Sequence, residues 1–263
     1  MALPFWFSDA VLLSTQASLV ALPRAAPPPA LRRLSRAGWA LVPALSIAVV
    51  VAAIALAPGT ADFLTYLALI ATPLLAAVAL GHVVAGARPP FALAVIPLLA
   101  VAWAAKGSLA GDATALVLTA LGCVTLGWLL AAVTPPPLLK AGIVVAALVD
   151  SALVFSDLLH QPNATLNAAA PAAGLPQLQF VSFGSAVMGY GDFFIAAVLG
   201  ALLVVEGVRQ APVALACLVF AAAFDLLFFV VDELPATVPV ALALIASEVV
   251  RRKRDRPRAP YAA

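Results

Sequence analysis

Two acidic residues stand inside apolar runs where a membrane-type chain has no ordinary use for them. Asp150 lies in Ala147-Leu148-Val149-Asp150-Ser151-Ala152-Leu153, and Asp192 in Met188-Gly189-Tyr190-Gly191-Asp192-Phe193-Phe194. No Lys or Arg falls at similar depth in either run. An ionisable side chain at mid-bilayer costs at least about 2.5 kcal/mol, which marks each position as a functional candidate. The plain alternative is a protonated, hydrogen-bonded contact between helices. Two carboxyls that meet without a cation share a proton, because both cannot ionise side by side. A proton-sharing acid pair suits general acid–base hydrolysis, one member activating water while the other protonates the leaving group. Asp157 and Asp225 fall nearer the outer ends of their runs and read as boundary residues within reach of interfacial water.

The frame of Asp192 is unusual. Gly189 and Gly191 precede it inside an apolar run, and a glycine in a helix interior costs about 0.5–1 kcal/mol relative to Ala. What glycine offers in return is close approach by a neighbouring helix or a bound peptide. Other chemistries have little support. His82 and His160 are isolated, and no His, Cys and Glu cluster has zinc-ligand spacing. Neither histidine has a matching Gly-x-Ser context for a serine nucleophile. Cys123 and Cys217 both sit in apolar stretches, so no disulfide framework is expected. No metal or organic cofactor is expected.

The elements that must position the acids follow from composition. The chain has 263 residues, 65% apolar and 10% charged, with mean hydropathy +1.12. Soluble domains carry about 25% charged residues, so a water-soluble enzyme, a nucleic-acid-binding module and a disordered protein are excluded. Apolar runs bounded by Pro, Gly and charges predict an all-α polytopic membrane protein. Spans are expected near 4–22, 38–57, 62–86, 91–106, 112–132, 138–159, 179–207, 211–231 and 234–250. The first carries Asp9, Ser8, Ser14 and Gln16, but its Phe5-Trp6-Phe7 cluster suits an interfacial aromatic belt. With nine spans, thirteen of the fourteen Lys and Arg residues fall on one side, and Lys106 alone on the other. The positive-inside rule then sets the C-terminus in the cytoplasm and the N-terminus outside. The cell membrane, rather than an internal one, is the expected location. Residues 1–137 read as a five-helix scaffold, 138–250 as four helices carrying the acids, and 251–263 as a basic cytoplasmic tail.

The Gly-x-Gly-Asp motif at 189–192, with Asp150 on the preceding span, resembles the intramembrane aspartyl proteases of the presenilin and signal peptide peptidase family. Leu234-Pro235-Ala236-Thr237 is similar to that family's Pro-Ala-Leu motif at the start of its ninth helix, with Thr237 where the family has Leu. Val149 stands where the family usually has Tyr, which keeps Asp157 as a substitute for Asp150. Leu175-Pro176-Gln177-Leu178-Gln179-Phe180, just before the seventh span, also has the family's look. Prepilin peptidases share the Gly-x-Gly-Asp motif but usually continue with Lys, where this chain has Phe193-Phe194. The resemblance covers residues 138–250 at the level of motifs, and the first five spans only by helix count.

It implies a presenilin-like architecture with Asp150 and Asp192 as the catalytic pair and Gly189, Tyr190 and Gly191 as the active-site motif. Pro235, Ala236, Thr237 and Leu178 would position substrate. A helical substrate protects its own amides and must unwind, so the 175–180 stretch is expected to form a short strand beside it. The cytoplasmic C-terminus matches the signal peptide peptidase branch, whose implied substrates are spans with their N-terminus inside. The expected partners are such transmembrane segments and the lipid bilayer, with no nucleic acid. The rival expectation from another class is a proton-coupled transporter or channel that uses the paired aspartates as a relay.

Overall fold

With no water to satisfy backbone groups in the bilayer, apolar runs of this length are stable only as helices or closed barrels. The computed structural model describes residues 3–57, 59–231 and 233–255, and it takes the helical solution. The helices are α1 (Phe5–Ala21), α2 (Val42–Leu56), α3 (Gly59–Val78), α4 (Val95–Ala104) and α5 (Leu109–Val133). They continue with α6 (Pro136–Phe155), α7 (Tyr190–Val205), α8 (Gln210–Phe224) and α9 (Thr237–Asp255). Short 3-10 or π turns extend several of them, so that continuous helix covers 37–56, 59–83, 89–104 and 210–229. Five segments, 37–56, 59–83, 109–133, 136–155 and 210–229, are long and apolar enough to cross a membrane. Segments 89–104 and 190–205 are apolar but shorter. Prolines open α2 and α6 within the first two residues, where the missing N–H breaks no helical bond.

The inner helices are α7 and α5. Phe193 and every residue from Ile195 to Leu199 are fully buried, so α7 touches protein all round. Glycine makes this possible at two crossings. A methyl at Gly127 of α5 would stand 2.6 Å from the Ala197 carbonyl carbon of α7, and one at Gly200 of α7 would stand 2.6 Å from the Leu19 carbonyl oxygen of α1. Small residues let backbones approach in this way, and dispersion contacts then hold the helices together.

Two expectations need correction. The seventh span was expected as helix over 179–207, but helix begins only at Tyr190. Ahead of it runs an antiparallel hairpin, β1 (Val181–Phe183) and β2 (Ala186–Met188), paired Val181 with Met188, Ser182 with Val187 and Phe183 with Ala186. Gly184 leads the two-residue turn at φ +58°, the left-handed conformation that primed hairpin turns need. The turn is pinned by Gly184 N–H donating to Asp112 Oδ2 at 3.2 Å and Ser185 N–H donating to Ser8 Oγ at 3.2 Å. The stretch 175–180, expected as a strand, has none: 175–178 has no regular structure, and the first strand begins only at Val181. Gln177 and Gln179 instead donate to the Ala169 carbonyl at 2.7 and 2.8 Å, closing the end of a short helix His160–Ala168.

The ninth helix also differs from its expected 234–250. Pro235 disfavours helical conformation at Leu234, and helix starts at Thr237 and runs on to Asp255. Arg251 to Arg254 of the basic tail thus belong to the helix, whereas Arg256 and Arg258 lie outside the described residues. One ionic network ties three helix ends together. Lys140 of α6 meets Glu206, just after α7, at 2.6 Å and Glu248 of α9 at 2.8 Å. Arg251 bridges the same two carboxylates at 3.1 and 2.7 Å.

Candidate active site

Asp150 sits in the last third of α6 and is buried. Thr237 Oγ1 donates to its Oδ2 at 2.6 Å, and the Thr237 backbone N–H donates to the same carboxyl. Because Thr237 is the first residue of α9, the carboxyl lies at the end of that helix where the peptide dipoles present partial positive charge. The Thr237 side chain is therefore a direct hydrogen-bond partner of the acid.

Asp192 occupies the third position of α7, not the middle of a long helix. Its Oδ2 accepts the Gly189 N–H at 3.1 Å, and its own N–H donates to the Gly189 carbonyl at 3.2 Å. The carboxyl thus caps the N-terminus of α7 as the acidic half of a capping box does, while the second bond is a backbone turn bond, since Gly189 has no side chain to return the cap. A Cβ at Gly189 would stand 2.9 Å from Asp192 Oδ2, so any side chain there would have to shift the carboxyl. Gly191 is under no such constraint, since its Cβ would meet nothing nearer than Ile47 at 3.7 Å. Tyr190 points its phenol at Thr72, and its carbonyl accepts the Cys123 thiol at 3.9 Å.

Both carboxyls border one cavity of about 1150 Å³ and lie close enough for each to feel the other's charge. Two acids far apart in sequence thus border one cavity beside the N-terminal ends of two helices. Gly189, Tyr190, Gly191 and Ala236 border the same cavity. Pro235 is buried beside it, and Thr237 acts through Asp150. Leu178 is fully buried and does not border the cavity; its neighbour Gln179 does, as do Val187 and Met188 of β2. Asp157, the substitute for Asp150, is exposed beyond the end of α6 at φ +57° and does not border the cavity.

Three contributors were not read as site residues from sequence. Asp225, taken as a boundary residue, lies in hydrogen-bond range of Asp9 of α1, and this second carboxyl pair borders the same cavity. Gln16, also on α1, is fully buried there. The signal for Asp9 and Gln16 was present as polar residues in an apolar run, seven apart and so on one helix face. Helices α1, α2, α3 and α5 border the cavity alongside α6 to α9. Among the described residues, no three His, Cys, Asp or Glu side chains gather closely enough to hold a metal ion. Comparison with protein-family models, with curated proteins and with solved structures returns no match for this chain.

Proposed function

We propose that this protein is an intramembrane aspartyl endopeptidase whose nine helical segments cross the membrane in presenilin-like order. The observation that carries the reading is the pairing of Asp150 and Asp192, each held by a helix N-terminus, across one cavity large enough for several peptide residues. One carboxylate takes a proton from water, and the resulting hydroxide oxygen bonds to the scissile carbonyl carbon. The protonated partner donates its hydrogen bond to the carbonyl oxygen. When the tetrahedral intermediate collapses, the C–N bond breaks and the amine nitrogen leaves with a proton from the pair. Water is consumed, a carboxylic acid and an amine are formed, and no cofactor takes part. The proton belongs to the pair rather than to either residue.

Substrate docking follows from the hairpin. In a two-residue hairpin the pair beside the turn, Phe183 and Ala186, exchanges both backbone hydrogen bonds, so the next pair turns its groups outward. Val187 therefore offers one N–H and one C=O at a strand edge that borders the cavity. An unwound substrate adds there as a further strand. The excess of basic residues on one side supports a cytoplasmic C-terminus, which we assign to a cell-membrane protein. Substrates are then spans with their N-terminus inside, such as signal-peptide remnants.

The test is cleavage of a model signal peptide by the reconstituted chain, compared with Asp150→Ala and Asp192→Ala. Loss of cleavage in both variants supports the proposal, and equal cleavage by all three proteins refutes it. Preferential cleavage of spans with the opposite orientation refutes the topology. The Asp9 and Asp225 pair gives one observation in favour of a proton-coupled transporter, since a relay needs acids in series. Proton flux into vesicles without peptide cleavage, abolished by Asp9→Asn, would select that reading.

A further inference from the structure

Gln16 occupies an odd position for an amide. It lies on α1, outside the helices that carry the acids, and its side chain is fully buried. Its Nε2 donates to the carbonyl oxygen of Ala236 at 3.0 Å and to that of Asp192 itself at 3.5 Å. Ala236 immediately precedes Thr237, whose hydroxyl holds Asp150. One amide group therefore touches the backbone of both halves of the acid pair. It reaches Asp192 directly, and it reaches Asp150 through a single residue.

The two carbonyls also fix which way the amide faces, because only the NH2 end can donate to them. The other end, Oε1, is buried without a hydrogen-bond partner. A buried acceptor left unpaired is unfavourable, so the amide's favourable polar contacts in this fold are its two donor contacts. A leucine would pack in the same space without that penalty and would leave the two backbones unjoined.

We propose that Gln16 is a positioning residue that sets the separation and alignment of Asp150 and Asp192 by joining the start of α7 to the start of α9. The inference rests on the protease reading given above and extends it to the first helix. Neither helix start has another link of this kind to α1 among the described hydrogen bonds. Asp192 and Thr237 sit at ends of helices preceded by non-helical backbone, so their positions are not imposed by helix rigidity alone. Misplacement of a reacting group by about 1 Å costs of the order of a hundredfold in rate.

Gln210 provides an internal control. It is likewise a buried glutamine, and its Nε2 donates to two backbone carbonyls, Pro23 at 2.8 Å and Gly200 at 3.0 Å. It does not border the cavity. If a buried amide of this kind served only to hold helices together, the two positions would respond alike.

The experiment measures kcat and KM of the full chain in proteoliposomes, using a quenched-fluorescent transmembrane peptide, for wild type, Gln16→Leu, Gln16→Glu and Gln210→Leu. Thermal melting is followed in parallel. Gln16→Leu is expected to lower kcat roughly ten- to a hundredfold with KM changed by less than about twofold. Gln210→Leu is expected to lower the melting temperature and leave kcat unchanged. Gln16→Glu regains a donor only when protonated, so its rate relative to wild type is expected to rise as pH falls. A Gln16→Leu kcat within about twofold of wild type overturns the proposal, as does an equal loss of kcat in Gln210→Leu. Should Gln16→Leu not fold, the Gln16→Glu ratio decides, and a ratio independent of pH overturns it. If wild type cleaves no peptide, the protease reading fails, and the infrared carbonyl stretch of the acid pair, assigned with Asp150→Asn and Asp192→Asn, decides separately. A band shifted in Gln16→Leu supports positioning, and an unmoved band overturns it.

Discussion

Replacing Thr237 with valine removes one hydroxyl and keeps the shape of the side chain. Thr237 is fully buried and does not border the cavity, and valine fills the same space, so no water can stand where the hydroxyl stood. The bond is short, 2.6 Å between Oγ1 and Oδ2, the range of an O–H donor on an ionised acceptor. A hydrogen bond to a charged group contributes about 1.5–3 kcal/mol. At about 1.4 kcal/mol per factor of ten, full expression of that loss in the transition state lowers kcat roughly ten- to a hundredfold. The backbone N–H of Thr237 still reaches Asp150, so activity should fall and not vanish. The assay is cleavage of a quenched-fluorescent transmembrane peptide in proteoliposomes at saturating and limiting substrate. KM should stay within about twofold, since Thr237 does not border the cavity. Thr237→Ser keeps the hydroxyl and should retain most of the wild-type rate. Wild-type kcat in Thr237→Val would refute the reasoning. Equal damage in Thr237→Ser and Thr237→Val would mean that side-chain shape matters and the bond does not.

Three further outcomes are expected. Gly189→Ala should cut cleavage at least about tenfold by displacing the Asp192 carboxyl, whereas Gly191→Ala should retain activity because its Cβ meets only ordinary contacts; equal loss in both would count against the assigned roles of the two glycines. Val187→Pro removes an outward N–H from the hairpin edge and should raise KM several-fold with a smaller change in kcat, and an unaltered KM would argue against strand addition at β2. Lys140→Met leaves Glu206 and Glu248 to a half-exposed Arg251, and the partly buried network should lose about 1–3 kcal/mol of stability. Thermal melting in detergent checks this, and an unchanged melting temperature would show that Lys140 contributes little to holding α6, α7 and α9 together.

The two halves of the site differed in how legible they were. Asp150 and Asp192 stand out in the sequence because so few charges surround them, and a carboxyl is conspicuous in an apolar run whatever the fold. Helix positions were legible for a related reason. A run such as Val42–Leu56 has no stable alternative to helix without water, so its ends follow from Pro, Gly and charge. The same logic misled at 179–189. A run flanking an apolar helix was read as more helix, although Gly184, two β-branched valines and Gly189 favour a hairpin and a break. Non-helical backbone is satisfied there by the strand pairing and by the side chains of Asp112 and Ser8 at the turn.

Length, composition and the placement of charge determined that this chain is a helical membrane-type protein with two misplaced acids. These are local properties, set by the transfer cost of each residue, and they need no knowledge of neighbours. Only the tertiary structure decided what those acids touch. It brought Asp192 to the first turn of α7, gave Asp150 to Thr237, and left Asp157 off the cavity wall. It paired Asp225 with Asp9 across more than two hundred residues of chain and set Gln16 between the two helix starts. Such contacts depend on which helix ends meet and at what depth. The packing of glycine against backbone at Gly127 and Gly200 decides that, and hydropathy carries no record of it.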